Sequence, residues 1–173
     1  MRKVFLLVIF LLPSCSPKAD PSVLMNAVPY IGHSEENNRK ELIELIDVDP
    51  VKTEWCAAFV NSVLENSLIP SLNTPGATNC SMCKPDEPHP FPLVARSFLD
   101  WGVSVHKDEI FPGDIVIFPR GDTAWTGHVG FYIKSVDING TLYYSILGGN
   151  QNNKVSIELY RADNALGIRR ISI

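Results

Sequence analysis

The hydrophobic period changes once along this chain, and that change restricts the folds open to it. In the first half the apolar residues recur at helical spacing. Asn37 to Ile46 ("NNRKELIELI") places Leu42, Ile43, Leu45 and Ile46 after asparagine caps. Thr53 to Leu64 ("TEWCAAFVNSVL") places Phe59, Val60, Val63 and Leu64 on one helix face. Leu93 to Gly102 reads as a short helix closed by its glycine. Residues 73–92 are polar and proline-rich, and read as a loop. From Asp114 on, the spacing is that of strands: Asp114 to Phe118, Gly127 to Lys134, Thr141 to Leu147, Lys154 to Leu159 and Leu166 to Ile173. Turn signals such as "DING" and "NQNN" separate these runs. Helices first and strands afterwards predict an α+β fold, with the helices packed on one face of an antiparallel meander of about five strands.

The N-terminus reads as a leader rather than as part of that fold. Arg2 and Lys3 precede an apolar run from Val4 to Leu12, too short for a membrane span, which needs about 18 residues. "LPSC" follows, and Cys15 resembles the lipidated cysteine of a bacterial lipoprotein signal, although Pro13 stands where a small residue is usual. The expected division is therefore a signal peptide over 1–14, a lipidated tether over 15–28 and one domain over 29–173. Loss of Arg2 and Lys3 takes the formal net charge from −4 to −6. An acidic chain without basic patches offers nothing to nucleic acid.

Export gives the four cysteines meaning, because thiols outside the cytoplasm normally pair. Cys15 is assigned to the lipid. Cys80 and Cys83 lie together in "NCSMC", and a small disulfide between them is expected to shape the rim of the site. A zinc site with His89 would still lack a fourth ligand. Cys56 is left without a partner. Thr53 is the expected N-cap, which makes Cys56 the third residue of the first turn. Backbone N–H groups there lack intrahelical partners, and the helix dipole favours a thiolate. The same pattern also describes a small buried core cysteine.

A cysteine nucleophile needs a base and the base needs an orienting group. His33, His89 and His106 sit in polar or proline-rich surroundings and read as surface residues. His128 opens the apolar strand "GHVGFYI", with Gly127 and Gly130 leaving room beside the ring. Strand alternation puts His128 and Gly130 on one face and Val129, Phe131 and Ile133 on the other. The next strand ends in "GGNQNN", which offers Asn150 and Gln151 as orienting amides, or simply a hairpin turn.

Taken together, "WCAAFVNSVL", "PGDIVIF", "GHVGFY" and "LGGNQNNKVSI" resemble the CHAP-type (cysteine, histidine-dependent amidohydrolase/peptidase) domains. These belong to the wider NlpC-like, papain-related peptidoglycan hydrolases. The upstream "YIGHSEENN" is similar to the opening of one bacterial and phage subgroup. The resemblance implies a papain-like fold, cleavage of amide bonds in peptidoglycan stem peptides and no cofactor, while the lipoprotein-like "LPSC" implies membrane attachment through the N-terminal lipid. It implies Cys56 as nucleophile and oxyanion donor through its own N–H, His128 as base, Asn150 as orienter, and Asp114 as a structural residue that starts the sheet. Some relatives carry a glutamate close before that asparagine, where this chain has Gly148. A non-catalytic lipid-anchored scaffold, or an acyltransferase on the same fold, remain the competing readings.

Overall fold

The computed structural model describes residues 20–79, 81, 84 and 86–171. The expected signal peptide, Cys15 and the Cys80–Cys83 pair fall outside them. Three helices, α1 (Ser22–Ala27), α2 (Arg39–Ile46) and α3 (Cys56–Asn66), precede a six-stranded sheet. Its strands are β1 (Val103–Ser104), β2 (Ile115–Pro119), β3 (Gly127–Ile138), β4 (Thr141–Gly148), β5 (Ser156–Arg161) and β6 (Gly167–Arg170). The fold is α+β, and every strand pair is antiparallel.

β2 to β5 form the expected meander. The last strand does not continue it: the order is β1-β6-β2-β3-β4-β5, so β6 crosses back to pair with β2. The sixth strand, β1, is the two-residue segment after Gly102 that the sequence did not mark. At φ +57° Gly102 lies so close to β6 that a Cβ would stand 2.2 Å from the Arg170 carbonyl oxygen. Glycine is the residue that tolerates both conditions. The segment before it is a 3₁₀ helix, Ala95–Asp100, rather than an α-helix.

Two apolar clusters hold the sheet. α1, α2, α3 and the Ala95–Asp100 helix bury Leu42, Phe59, Val63 and Phe98 against Ile115, Ile117, Val129 and Phe131. The opposite face carries a smaller cluster with Val116, Phe118, Tyr132, Tyr144 and Ile146. The expected alternation in β3 holds, since Val129 and Phe131 face the helices while Tyr132 faces the second cluster.

The expected tether is corrected where it is described. Residues 22–27 form α1, and its Val23 and Ala27 are buried in the main cluster. Val23 and Ala27, four residues apart, give this short piece one helix face to pack against α3, which a proline at each side had obscured. α3 also departs from expectation. It is buried all round from Cys56 to Leu64 rather than along one stripe. Asn61 is tolerated inside because both ends of its amide are used: its nitrogen donates to the Pro92 carbonyl (2.8 Å), and its oxygen accepts from the Leu72 N–H (3.0 Å). These two bonds tie both ends of the 73–92 loop to the helix.

Candidate active site

The helix that carries Cys56 begins two residues later than expected. Trp55, not Thr53, is the N-cap residue, and Cys56 is the first helical residue. The cause lies in the "YIGHSEENN" segment. Glu35 accepts a hydrogen bond from Trp55 Nε1 (2.8 Å), and the indole is fully buried. Gly32 N–H donates to Val155 and Glu35 N–H to Asn153, which lays this segment along the β4–β5 loop. Gly149 is the close contact on the other side, where a Cβ would stand 2.6 Å from Trp55 and Phe59. Thr53 is thereby held in a turn outside the helix. At the first position the cysteine still has the unpaired amides of the first turn around it.

Cys56 is 2% exposed, and its Sγ lies 3.9 Å from the Gly127 carbonyl oxygen. The backbone N–H dipoles of Val129 and Ala57 also favour the thiolate. Gly127 and Val129 flank His128, so the thiol sits against β3 where the histidine emerges. Phe118 opposes His128 across β2–β3. Tyr160 of β5 stacks on the imidazole, with centroids 5.1 Å apart and planes 14° from parallel, and it stacks on Phe118 as well. Tyr160 thus covers one face of the imidazole.

Gln151, and not Asn150, orients the imidazole. Gln151 Oε1 is 3.1 Å from His128 Nε2. Gln151 Nε2 donates to the Ser156 carbonyl (2.6 Å) and lies 3.2 Å from its hydroxyl, so the amide oxygen is the end left for the ring. His128 Nε2 therefore carries the proton, and Nδ1 is the basic nitrogen. That Nδ1 is buried without a hydrogen-bond partner. The expectation for Asn150 fails because β4 ends at Gly148 and Asn150 has φ +55°, which breaks strand alternation. Its side-chain N–H instead donates to Glu54 Oε2 (2.7 Å). Gly148 is also explained: a Cβ there would stand 3.1 Å from His128 Nε2 and 3.3 Å from the Gln151 amide. Space that a larger side chain would need is taken by Gln151.

If His128 acts as the base that the resemblance implies, Gln151→Ala should slow turnover by roughly 10²-fold, the cost of a loosely held base. Asn150→Ala should cost less than about tenfold by the same reasoning. Steady-state kinetics on the two variants check this, and a larger loss in Asn150→Ala would reverse the assignment.

Burial sets the protonation of the pair. It pushes the Cys56 thiol up from its ordinary value, against the opposing pull of the Arg120 charge and the backbone N–H dipoles. It pushes His128 down to about 4, and the Arg120 charge adds to that while the Gln151 bond opposes it. At neutral pH both groups are uncharged at rest. His128 thus carries a stability signature. Its native pKa is below the unfolded value of about 6.5, so the unfolded chain binds the proton first as pH falls. The contribution, about 3 kcal/mol, is complete above pH ~6.5 and is lost on descent to pH ~4. Urea unfolding at pH 7, 5 and 4 should show this loss in the wild type and a smaller one in His128→Gln. Equal losses would contradict the burial argument.

Cys56 lies at the floor of a cleft of about 410 Å³, whose walls include Glu54, Leu93, Val94, Arg120 and Trp125. Trp125 is 81% exposed at the tip of the β2–β3 hairpin. The sequence did not single out Arg120, Tyr160 or Trp125. Of these, an aromatic at the tip of a polar hairpin was the readable signal. His89 is also corrected. It is buried rather than on the surface, its Nδ1 accepting from the Phe91 N–H (3.1 Å). Burial lowers its pKa, against the opposing charge of Asp100.

Among the described residues no group of three or more His, Cys, Asp or Glu is placed to hold a metal ion, and no helix is long and apolar enough to cross a membrane. No model of a known protein family matches the chain, and no curated protein matches it.

Proposed function

We propose that this protein is a papain-like, CHAP-type cysteine hydrolase that cleaves amide bonds in the stem peptides of peptidoglycan. The observation that carries the reading is the buried His128, with Nε2 held by Gln151 and Nδ1 unpartnered, next in sequence to Gly127, whose carbonyl lies against the thiol that opens α3. An unsatisfied buried nitrogen is costly and persists where it has a use. A proton taken from Cys56 is the natural use. The export signal and Cys15 support a lipid-anchored enzyme outside the cytoplasm, where such a substrate is found.

The chemistry is acyl transfer. His128 Nδ1 takes the thiol proton as Sγ attacks the peptide carbonyl carbon. The oxyanion that forms is met by the Cys56 N–H at the start of α3. Because burial lowers its pKa to about 4, the imidazolium is a strong acid and passes its proton readily to the leaving amine. Water, deprotonated by the same nitrogen, then attacks the thioester, and the thiol is restored.

Incubating purified sacculi with the protein and identifying new termini by mass spectrometry tests the reading. A new stem-peptide carboxylate with a new amine marks an endopeptidase, and a free sugar lactyl group marks an amidase. No new termini with sacculi, but acyl transfer to an added amine from another acyl donor, would favour the acyltransferase alternative.

A further inference from the structure

We propose that Arg120 is a positioning residue of this site, clasping the entry of the Cys56 helix to the loop that carries Gln151. Its Nη1 donates to Glu54 Oε2 (2.8 Å), two residues before Cys56. Its Nη2 donates to the Asn150 carbonyl (2.9 Å), one residue before Gln151. The Asn150 side chain closes the triangle by donating to the same Glu54 oxygen. Three segments far apart in sequence thus meet at one guanidinium, and each bears part of the site. The hairpin that presents Arg120 is itself tied down. Thr126 Oγ1 donates to the Arg120 carbonyl, and Arg96 Nε donates to the Thr126 carbonyl (2.9 Å).

The planar fork of arginine suits this task, because two acceptors in different directions need two donors held in a fixed geometry. The Asn150 backbone is the telling partner. Its φ of +55° is adopted readily by asparagine, and the Arg120 donor holds its carbonyl in that turn. Gln151 follows directly, so a rotation at Asn150 would carry the orienting amide away from His128. Energetics separate this role from a structural one. Glu54 is 78% exposed and Arg120 37%, and a surface ion pair of that kind contributes little to folding. Its value lies in where it holds the chain.

The same guanidinium also acts on the pair through its charge. It pulls the Cys56 thiol down and His128 down, while Glu54 pushes the thiol up. The other groups facing the pair are Tyr160 on β5, with Glu158 beside it, and the neutral Gln151. Removal of Arg120 should therefore raise both titrations.

The role rests on the proposed hydrolase reading, but its first readout needs no substrate. Alkylation of Cys56 by iodoacetamide, followed across pH in the full-length protein, gives the thiol midpoint directly. Arg120→Met should move that midpoint upward and reduce peptidoglycan cleavage by roughly 10–100-fold, mainly in kcat. Its thermal midpoint should fall by no more than about 4 °C. Arg120→Lys keeps the charge without the fork, so it should restore the alkylation midpoint while cleavage stays reduced. Glu54→Ala, which removes one arm of the clasp, should lower the midpoint and also slow cleavage. An unchanged alkylation midpoint in Arg120→Met would overturn the proposal, as would full cleavage by Arg120→Lys and Glu54→Ala together. If no variant and no wild-type protein cleaves sacculi, the hydrolase reading fails, and the alkylation shifts still decide the placement of Arg120.

Discussion

Cys56→Ala is expected to abolish amide cleavage, by at least about 10³-fold, while the protein stays folded. The proposed nucleophile has no second thiol beside it: Cys56 is the free cysteine of the described residues, and it lines the cleft. A solvent-reachable thiol at a helix start would contribute little to packing. At 2% exposure the side chain does contribute, so removal of the sulfur should cost about 1 kcal/mol, short of unfolding. Cleavage assays and urea unfolding of the same preparation separate the two effects. Retained cleavage in a folded Cys56→Ala would end the cysteine mechanism.

Asp114→Ala should give the largest loss of stability. Asp114 and Arg170 form a bidentate pair, Oδ1 to Nε at 2.7 Å and Oδ2 to Nη2 at 2.8 Å, with side chains 0% and 7% exposed. Oδ2 also accepts from the Phe111 N–H, closing the "PGD" turn that starts β2. Truncating the carboxylate leaves the guanidinium buried with its main counter-charge gone. That costs about 3–5 kcal/mol, whatever the intact pair contributes over an apolar one. In a chain of this length the thermal midpoint should drop by roughly 10 °C. A loss below about 1 kcal/mol by denaturant titration would show that neither the pair nor the turn bond made by this carboxylate is what holds β2 and β6 together.

The parts of this architecture that the sequence made legible are those set by local spacing. The period of two in "DIVIF" and "GHVGFYI" placed β2 and β3, and the same alternation put Val129 and Phe131 on the helix face. The "GD" aspartate read as structural, and the buried pair with Arg170 agrees. What was hidden depends on contacts between distant segments. The β6 crossover is fixed by pairing with β2 across some fifty residues, which no local pattern records. The start of α3 is fixed by Glu35, twenty residues upstream of Trp55, so capping rules applied to Thr53 alone missed it. Asn150 and Gln151 could not be separated by counting along a strand, because left-handed residues at 150, 152 and 153 end the alternation there. Arg120 was invisible for the same reason: its three-way contact exists only in the folded chain.

The most direct test of the central claim uses the unmodified protein. Cys56 is alkylated to graded extents with iodoacetamide, the labelled fraction is measured by peptide mapping, and peptidoglycan cleavage is assayed on each sample. The account predicts that cleavage falls in proportion to the labelled fraction of Cys56 and reaches zero when labelling is complete. Cleavage that persists with Cys56 fully alkylated would contradict it.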